Sequence, residues 1–97
     1  MKIEKHVIPI TRKAERIVYA DREEAYDDPR KNFARIAKMW SGILNIDITP
    51  QQVGLCQMAV KIARESYEHK EDNLVDICGY ALCVDRLHQK SEDTDNA

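Results

Sequence analysis

The chain carries only three cysteines, Cys56, Cys78 and Cys83, and no two of them form a C-x-x-C pair. An odd number of thiols, all within apolar stretches, excludes a disulfide scaffold and reads as three buried small hydrophobes in a reducing cytosol. A zinc site is excluded as well, because His6, His69 and His88 are not at ligand spacing from them. There is no excess of one charge either: Lys and Arg number 15 against 17 Asp and Glu, a formal net charge of -2. That balance provides no general attraction to duplex nucleic acid or to an anionic membrane, and neither is expected as a partner. No apolar run approaches membrane-spanning length, and Met1 to His6 has no apolar centre of signal-peptide size. The sequence therefore predicts a soluble, cytoplasmic protein.

What is present points to helices. A chain of 97 residues has room for one domain and one core, and its 33% charged content suits the outward faces of helices. The fold expected is all-α, a compact bundle of three to four helices over residues 11–90. A short extended arm precedes it at residues 1–10, where Ile3, Val7 and Ile10 are apolar positions in a largely polar stretch and Pro9 disfavours helix. A flexible tail follows at residues 91–97, which hold no apolar anchor beyond Ala97.

The first helix is predicted from a Thr11 cap to about Ala25, with Ala14, Ile17, Val18 and Ala25 as a thin apolar stripe. The second opens on Asp28 as N-cap and Pro29 at its first position, carries Phe33, Ile36, Ala37, Trp40, Ile43 and Leu44 at helical spacing, and ends near Asn45. The third begins with the capping box Thr49-Pro50-Gln51-Gln52. Its expected apolar line is Val53, Cys56, Val60, Ala63 and Tyr67, flanked by Leu55, Ala59 and Ile62, with the polar line of Gln57, Lys61, Arg64 and Glu68 opposite. The fourth starts at an Asp72 cap and runs through Leu87, apolar nearly all round, so it should be central or half-covered by another subunit. A homo-oligomer is expected, with this helix or the arm at the interface.

Asp76 stands out, a carboxylate in the most hydrophobic helix, where it needs a partner. Asn73 and Tyr80 share its face, and Gly79 removes a side chain beside it to let something approach. Lys61 and Arg64 on the third helix and Asn32 and Arg35 on the second are candidate neighbours, with Tyr26 just before the second helix. Two readings stay open for Asp76: a ligand contact, or an ion pair with Lys61 or Arg64 that fixes helix register.

The blocks Tyr26-Asp27-Asp28-Pro29, Asn32-Phe33-Ala34-Arg35-Ile36-Ala37 with Trp40, Lys61-Ile62-Ala63-Arg64 and Asp72-Asn73-Leu74-Val75-Asp76-Ile77-Cys78-Gly79-Tyr80-Ala81 together resemble a small helical domain family of unknown function, widespread in phages and prophages, over about residues 19–88. That resemblance implies a phage-type origin, and hence the host-cell cytosol. A looser similarity connects the arrangement to MazG-like all-α nucleoside triphosphate pyrophosphohydrolases, which hold magnesium between an E-x-x-E and an E-x-x-D pair. Asp72 and Asp76 resemble the second pair, but Lys61 and Arg64 occupy the face where the first would be.

Cations in that place point to direct binding of phosphate. The expected function is a non-enzymatic protein that holds a phosphorylated, nucleotide-like small molecule, without cofactor or metal. Lys61, Arg64 and Arg35 would meet phosphate, Tyr26 or Tyr80 would stack on a base, and Asn32, Asn73 and Asp76 would bind base or ribose. In a phage setting it would serve to sequester a host nucleotide immune signal. The alternatives are a divergent magnesium-dependent pyrophosphohydrolase using Asp72 and Asp76, or a protein-binding inhibitor of a host enzyme.

Overall fold

A computed structural model describes residues 8–21 and 28–96, with side chains through Tyr19 and from Asp28 to Gln89. Residues 1–7 of the arm, and Tyr26 with its neighbours 22–27, lie outside the described residues. Within them the chain is all-α: α1 (Ile10–Arg16) passes into a π-helical turn (Ile17–Asp21), followed by α2 (Pro29–Leu44), α3 (Pro50–Tyr67) and α4 (Glu71–Asn96).

The first helix starts one residue before the expected Thr11 cap. Pro9 has an extended backbone, and its carbonyl accepts from the N–H groups of Arg12 and Lys13 at 3.0 and 3.1 Å, so Ile10 already belongs to the helix. Ala14 and Val18, four residues apart, are its buried stripe. The expected extension to Ala25 lies beyond the described helix, which reaches Asp21.

The cap of α2 forms as its residues dictate. The Asp28 carboxylate accepts from the Arg30 N–H at 2.9 Å, Pro29 fills the first turn, and the Arg30 guanidinium folds back onto the same carboxylate at 2.6 Å. At the far end Asn45 adopts a left-handed backbone, φ 57°, which ends the helix. The loop to α3 is pinned by Ser41, whose hydroxyl donates to the Ala37 carbonyl at 2.7 Å and accepts from the Ile48 N–H at 2.9 Å. Both halves of the capping box then close on α3: Gln52 N–H to Thr49 Oγ1 at 3.1 Å, and Thr49 N–H to Gln52 Oε1 at 2.9 Å.

The central helix is α4, which packs against α3, α1 and α2. Its pairing with α3 is antiparallel: Gly54 lies against Val84, Lys61 against Asp76 and Glu65 against Asn73. Its pairing with α1 is parallel, since Lys13 bonds Glu71, Val18 lies by Gly79, and the Arg86 guanidinium sits 5.0 Å over the Tyr19 ring. The core cluster is Val18, Phe33, Ala37, Val53, Cys83 and Leu87, with Ile36, Trp40, Ile48, Tyr80 and Leu82 packed on it. Phe33 and the partly buried Trp40 thus take their expected places.

The glycine that permits close approach is Gly54. A Cβ there would stand 2.5 Å from Val84 Cγ2 and 3.3 Å from Phe33 Cε2, closer than packed atoms tolerate. At Gly79, assigned that role from sequence, the added Cβ would meet only Val18 at an ordinary 3.5 Å.

The third helix turns most of its apolar line outward. Val53 is buried, but Cys56, Ala59, Val60, Ala63 and Tyr67 are exposed, and so are Leu55 and Ile62. The side turned inward carries Gly54, Gln57, Lys61 and Glu65. The physical reason is Gly54, the point of closest approach to α4: Lys61 and Glu65, two and three turns on from it, must follow it inward. Of the thiols, Cys83 is buried and Cys78 half-buried, while Cys56 is exposed on the outer side, against expectation.

Candidate functional site

The inward polar residues of α3 meet polar residues of α4. Lys61 Nζ lies 2.9 Å from Asp76 Oδ2, with side chains 19% and 32% exposed, so the carboxylate in the apolar helix has its counter-charge. Of the two candidate partners the sequence offered for Asp76, Lys61 is the one in contact. A turn further along, Glu65 Oε1 accepts from the Lys70 N–H at 3.0 Å and from Asn73 Nδ2 at 3.2 Å, and Oε2 bonds His69 Nδ1. The His69 bond first, then the Lys70 N–H, and less so the Asn73 amide, hold the Glu65 carboxyl below its ordinary range against the opposing pull of burial.

This arrangement also changes how α4 begins. Asp72, the expected cap, is an exposed residue of the first turn, with Glu71 beside it. Glu65 from the facing helix serves the start instead, because its carboxylate takes the Lys70 N–H while the Lys70 carbonyl accepts from the Asn73 N–H at 3.0 Å. Both acids still suit the positive end of the helix.

Around that turn opens a cavity of about 480 Å³ lined by Ala63, Arg64, Tyr67, Glu68, Lys70 and Asn73. Its mouth holds two cationic side chains, Arg64 and Lys70, neither with an ion-pair partner among the described residues. Tyr67 beside them is 91% exposed, an aromatic face open to solvent. Asn73 forms the floor; it is nearly buried, and its amide nitrogen is spent on Glu65 and, at 3.5 Å, on the Glu68 carbonyl. A second hollow of about 310 Å³ between α1 and α4, lined by Thr11, Glu15, Cys78, Ala81, Leu82 and Asp85, has the opposite character. Its charged residues are both acids.

The candidate residues therefore divide. Arg64 and Asn73 share the cavity. Lys61 and Asp76 are engaged with each other. Tyr80 packs on the core with its ring centroid 6.2 Å from that of Phe33. Asn32 is half-buried and Arg35 exposed on α2, and neither is among the residues that line the cavity. Sequence reasoning missed Lys70 and Glu65 and placed Tyr67 on the apolar line of its helix. The signal for Lys70 was its place in the turn Glu68-His69-Lys70, directly after a helix that ends in an aromatic residue.

Among the described residues no group of three or more His, Cys, Asp or Glu comes together to hold a metal, and no helix is long and apolar enough to cross a membrane. The molecule is thus a small all-α domain organised on an antiparallel hairpin, with a cation-flanked cavity at the hairpin turn. The chain belongs to the family described as Domain of unknown function (DUF6378), whose model matches residues 9–88. It is similar to the Gene 55 protein of Mycobacterium phage D29, 34% identical over 82 residues that make up 84% of this chain and 54% of that protein. It is also similar to the Gene 55 protein of Mycobacterium phage L5, 36% identical over 77 residues, 76% of this chain and 49% of that protein. The chain spans about half the length of these curated relatives. No solved structure matches it. Family and relatives together mark it as a phage-type protein.

Proposed function

We propose that this chain binds a phosphorylated, nucleotide-like small molecule in the cavity at the α3–α4 turn, without transforming it. The observation that carries the reading is the lining itself: Arg64 and Lys70 flank an open cavity beside the exposed ring of Tyr67. Guanidinium and ammonium groups meet phosphate through charge-assisted hydrogen bonds, and an exposed aromatic face stacks on a base. Arg64 keeps the role assigned from sequence, Lys70 takes the place of Lys61, and Tyr67 takes that of Tyr26 or Tyr80. Lys61 and Asp76 act at one remove, by holding the two helices in register beneath the cavity. In a phage setting, the use we propose for such a pocket is withholding a host nucleotide signal such as a cyclic dinucleotide or an ADP-ribose derivative.

A binding titration with a panel of nucleotides in excess EDTA tests the reading. Binding should persist without metal, because the side chains supply the counter-charge. Arg64→Ala and Lys70→Ala should each weaken it about 10- to 100-fold, the worth of one hydrogen bond to a charged group. Metal-dependent release of phosphate or pyrophosphate would overturn the reading, and so would binding that is indifferent to both substitutions.

A further inference from the structure

The outward face of α3 has the composition of a protein interior. Leu55, Cys56, Ala59, Val60, Ile62, Ala63 and Ser66 follow one another at helical spacing on that side, and not one is charged. All are exposed, with Leu55 at 54%, Val60 at 46% and Ile62 at 52%. Ser66 adds little polarity, because its hydroxyl donates to the Ile62 carbonyl at 3.1 Å within the helix. The helix is thus inverted, with its charged pair inside and its apolar side in water.

We propose that this face joins two copies of the chain, α3 against α3, about a two-fold axis near Ala59 and Ala63. The relief of the face favours a second copy as occupant. Ala59, Ala63 and Ser66 make a low central strip, with Leu55 and Ile62 as a ridge on one side and Cys56 and Val60 as a ridge on the other, while Tyr67 at the end of the helix stays with the cavity, outside the seam. An antiparallel copy of the same helix sets its ridges into the matching grooves and brings the two strips together, which is the self-complementarity a two-fold interface requires. A face without charge also lacks the polar groups by which an unrelated partner is usually selected.

The area agrees. These side chains leave on the order of 400 Å² in water, within the range of the largest patch on a monomer. Ile43, Leu44 and Ile46, exposed where the chain leaves α2 for α3, would extend this face toward the roughly 800 Å² per partner of a standard interface. The closed face belongs to α3, and α4, expected from sequence to be half-covered by another subunit, is occupied by its own α1, α2 and α3.

The test compares the full-length chain with Ala59→Arg, which places a charge at the centre of the interface while leaving the isolated subunit, where Ala59 is exposed, able to fold. Light scattering at micromolar concentration should give twice the chain mass for the unaltered protein and the single-chain mass for the variant, with equal helical circular dichroism. Cys56 supplies a second readout, since it lies on the face and is the exposed thiol of the three. Its alkylation should be slow in concentrated protein and at least about 10-fold faster after dilution or in Ala59→Arg. A monomer at micromolar concentration would overturn the inference. So would a dimer that survives Ala59→Arg, or labelling of Cys56 that ignores concentration.

Discussion

The two halves of the α3–α4 hairpin are built by different means. At the half distant from the turn, Gly54, Val84 and Phe33 meet in dry, close contact, and the fit leaves no room for a methyl group. At the half beside the turn, Lys61 meets Asp76 and Glu65 gathers Lys70, His69 and Asn73. Dispersion and burial govern the first, directional hydrogen bonds the second. The dry half sets how near the helices lie, because contact there has a steep distance dependence. The polar half sets their register, because a shift of one residue would part each donor from its acceptor. The cavity stands on the polar half, where small changes of position decide what its rim can grip.

The sharpest break of this comparison is Gly54→Ala. It should destabilise the fold by about 1–3 kcal/mol through overpacking against Val84. Val84→Ala in the same chain should restore much of that loss, and denaturant unfolding of the four members of the cycle would measure it. Equal effects of Gly54→Ala with and without Val84 would deny the dry contact its role.

On the polar half, Asp76→Asn leaves Lys61 without its counter-charge. The expected cost is about 1–2 kcal/mol, below the 3–5 kcal/mol of a fully buried pair because both side chains keep some water. Thermal melts give the answer, and Lys61→Met with Asp76→Asn should recover part of the loss. An unchanged melt would remove the ion pair from the account of register.

Acid offers a graded version of the same test. The Arg30 side chain above all holds the Asp28 carboxyl at about 2, against an ordinary 3.8, and Glu65 is lowered by His69, Lys70 and Asn73. A carboxyl depressed on folding contributes stability that is complete above its unfolded pKa and disappears as pH falls through the folded one. Melts should therefore be level above the carboxylate range and decline from about pH 4 toward pH 2, with Asp28 responsible for at most about 1 kcal/mol after solvent screening. Asp28→Asn should flatten its share of that slope. Glu65→Gln should flatten another, and a slope indifferent to both would place the acid sensitivity elsewhere.

The smallest effect has the opposite sign. Gly79→Ala adds a methyl group at ordinary contact distance from Val18 and removes a flexible residue from mid-helix, so it should stabilise by roughly 0.5–1 kcal/mol. A destabilised Gly79→Ala would show that both glycines, and not Gly54 alone, are points of close approach.

The fold was legible where local chemistry decides. Asp28-Pro29 and Thr49-Pro50-Gln51-Gln52 start their helices because their side chains satisfy backbone N–H groups within three residues, and the stripe from Phe33 to Trp40 has one reasonable face. The orientation of α3 was not legible. Its apolar and polar lines gave a clear amphipathic pattern, and the choice of inner face turned on Gly54, whose partner Val84 is distant in sequence. The same holds for the site. Arg64 and Asn73 were found as polar residues on suitable helices, but Lys70 becomes a rim residue only through the turn, and Tyr67 through the reversal of its helix. Asp76 announced a need for a partner, and spacing alone could not choose between Lys61 and Arg64.

The connection between α3 and α4 is only Glu68-His69-Lys70, and this brevity bears on the order in which the protein assembles. Closing so short a loop costs little chain entropy, so the hairpin contacts form rapidly and early. The parallel contact of α1 with α4 is another matter. Lys13 and Glu71 are 58 residues apart in sequence, and that segment docks late, onto a hairpin already in place. In native-state hydrogen exchange α1 should open first and most often, while the amides at the centres of α3 and α4 exchange only with global unfolding. The acidic hollow beside Glu15 and Asp85 would then come and go with α1, whereas the cation-flanked cavity would last as long as the hairpin itself.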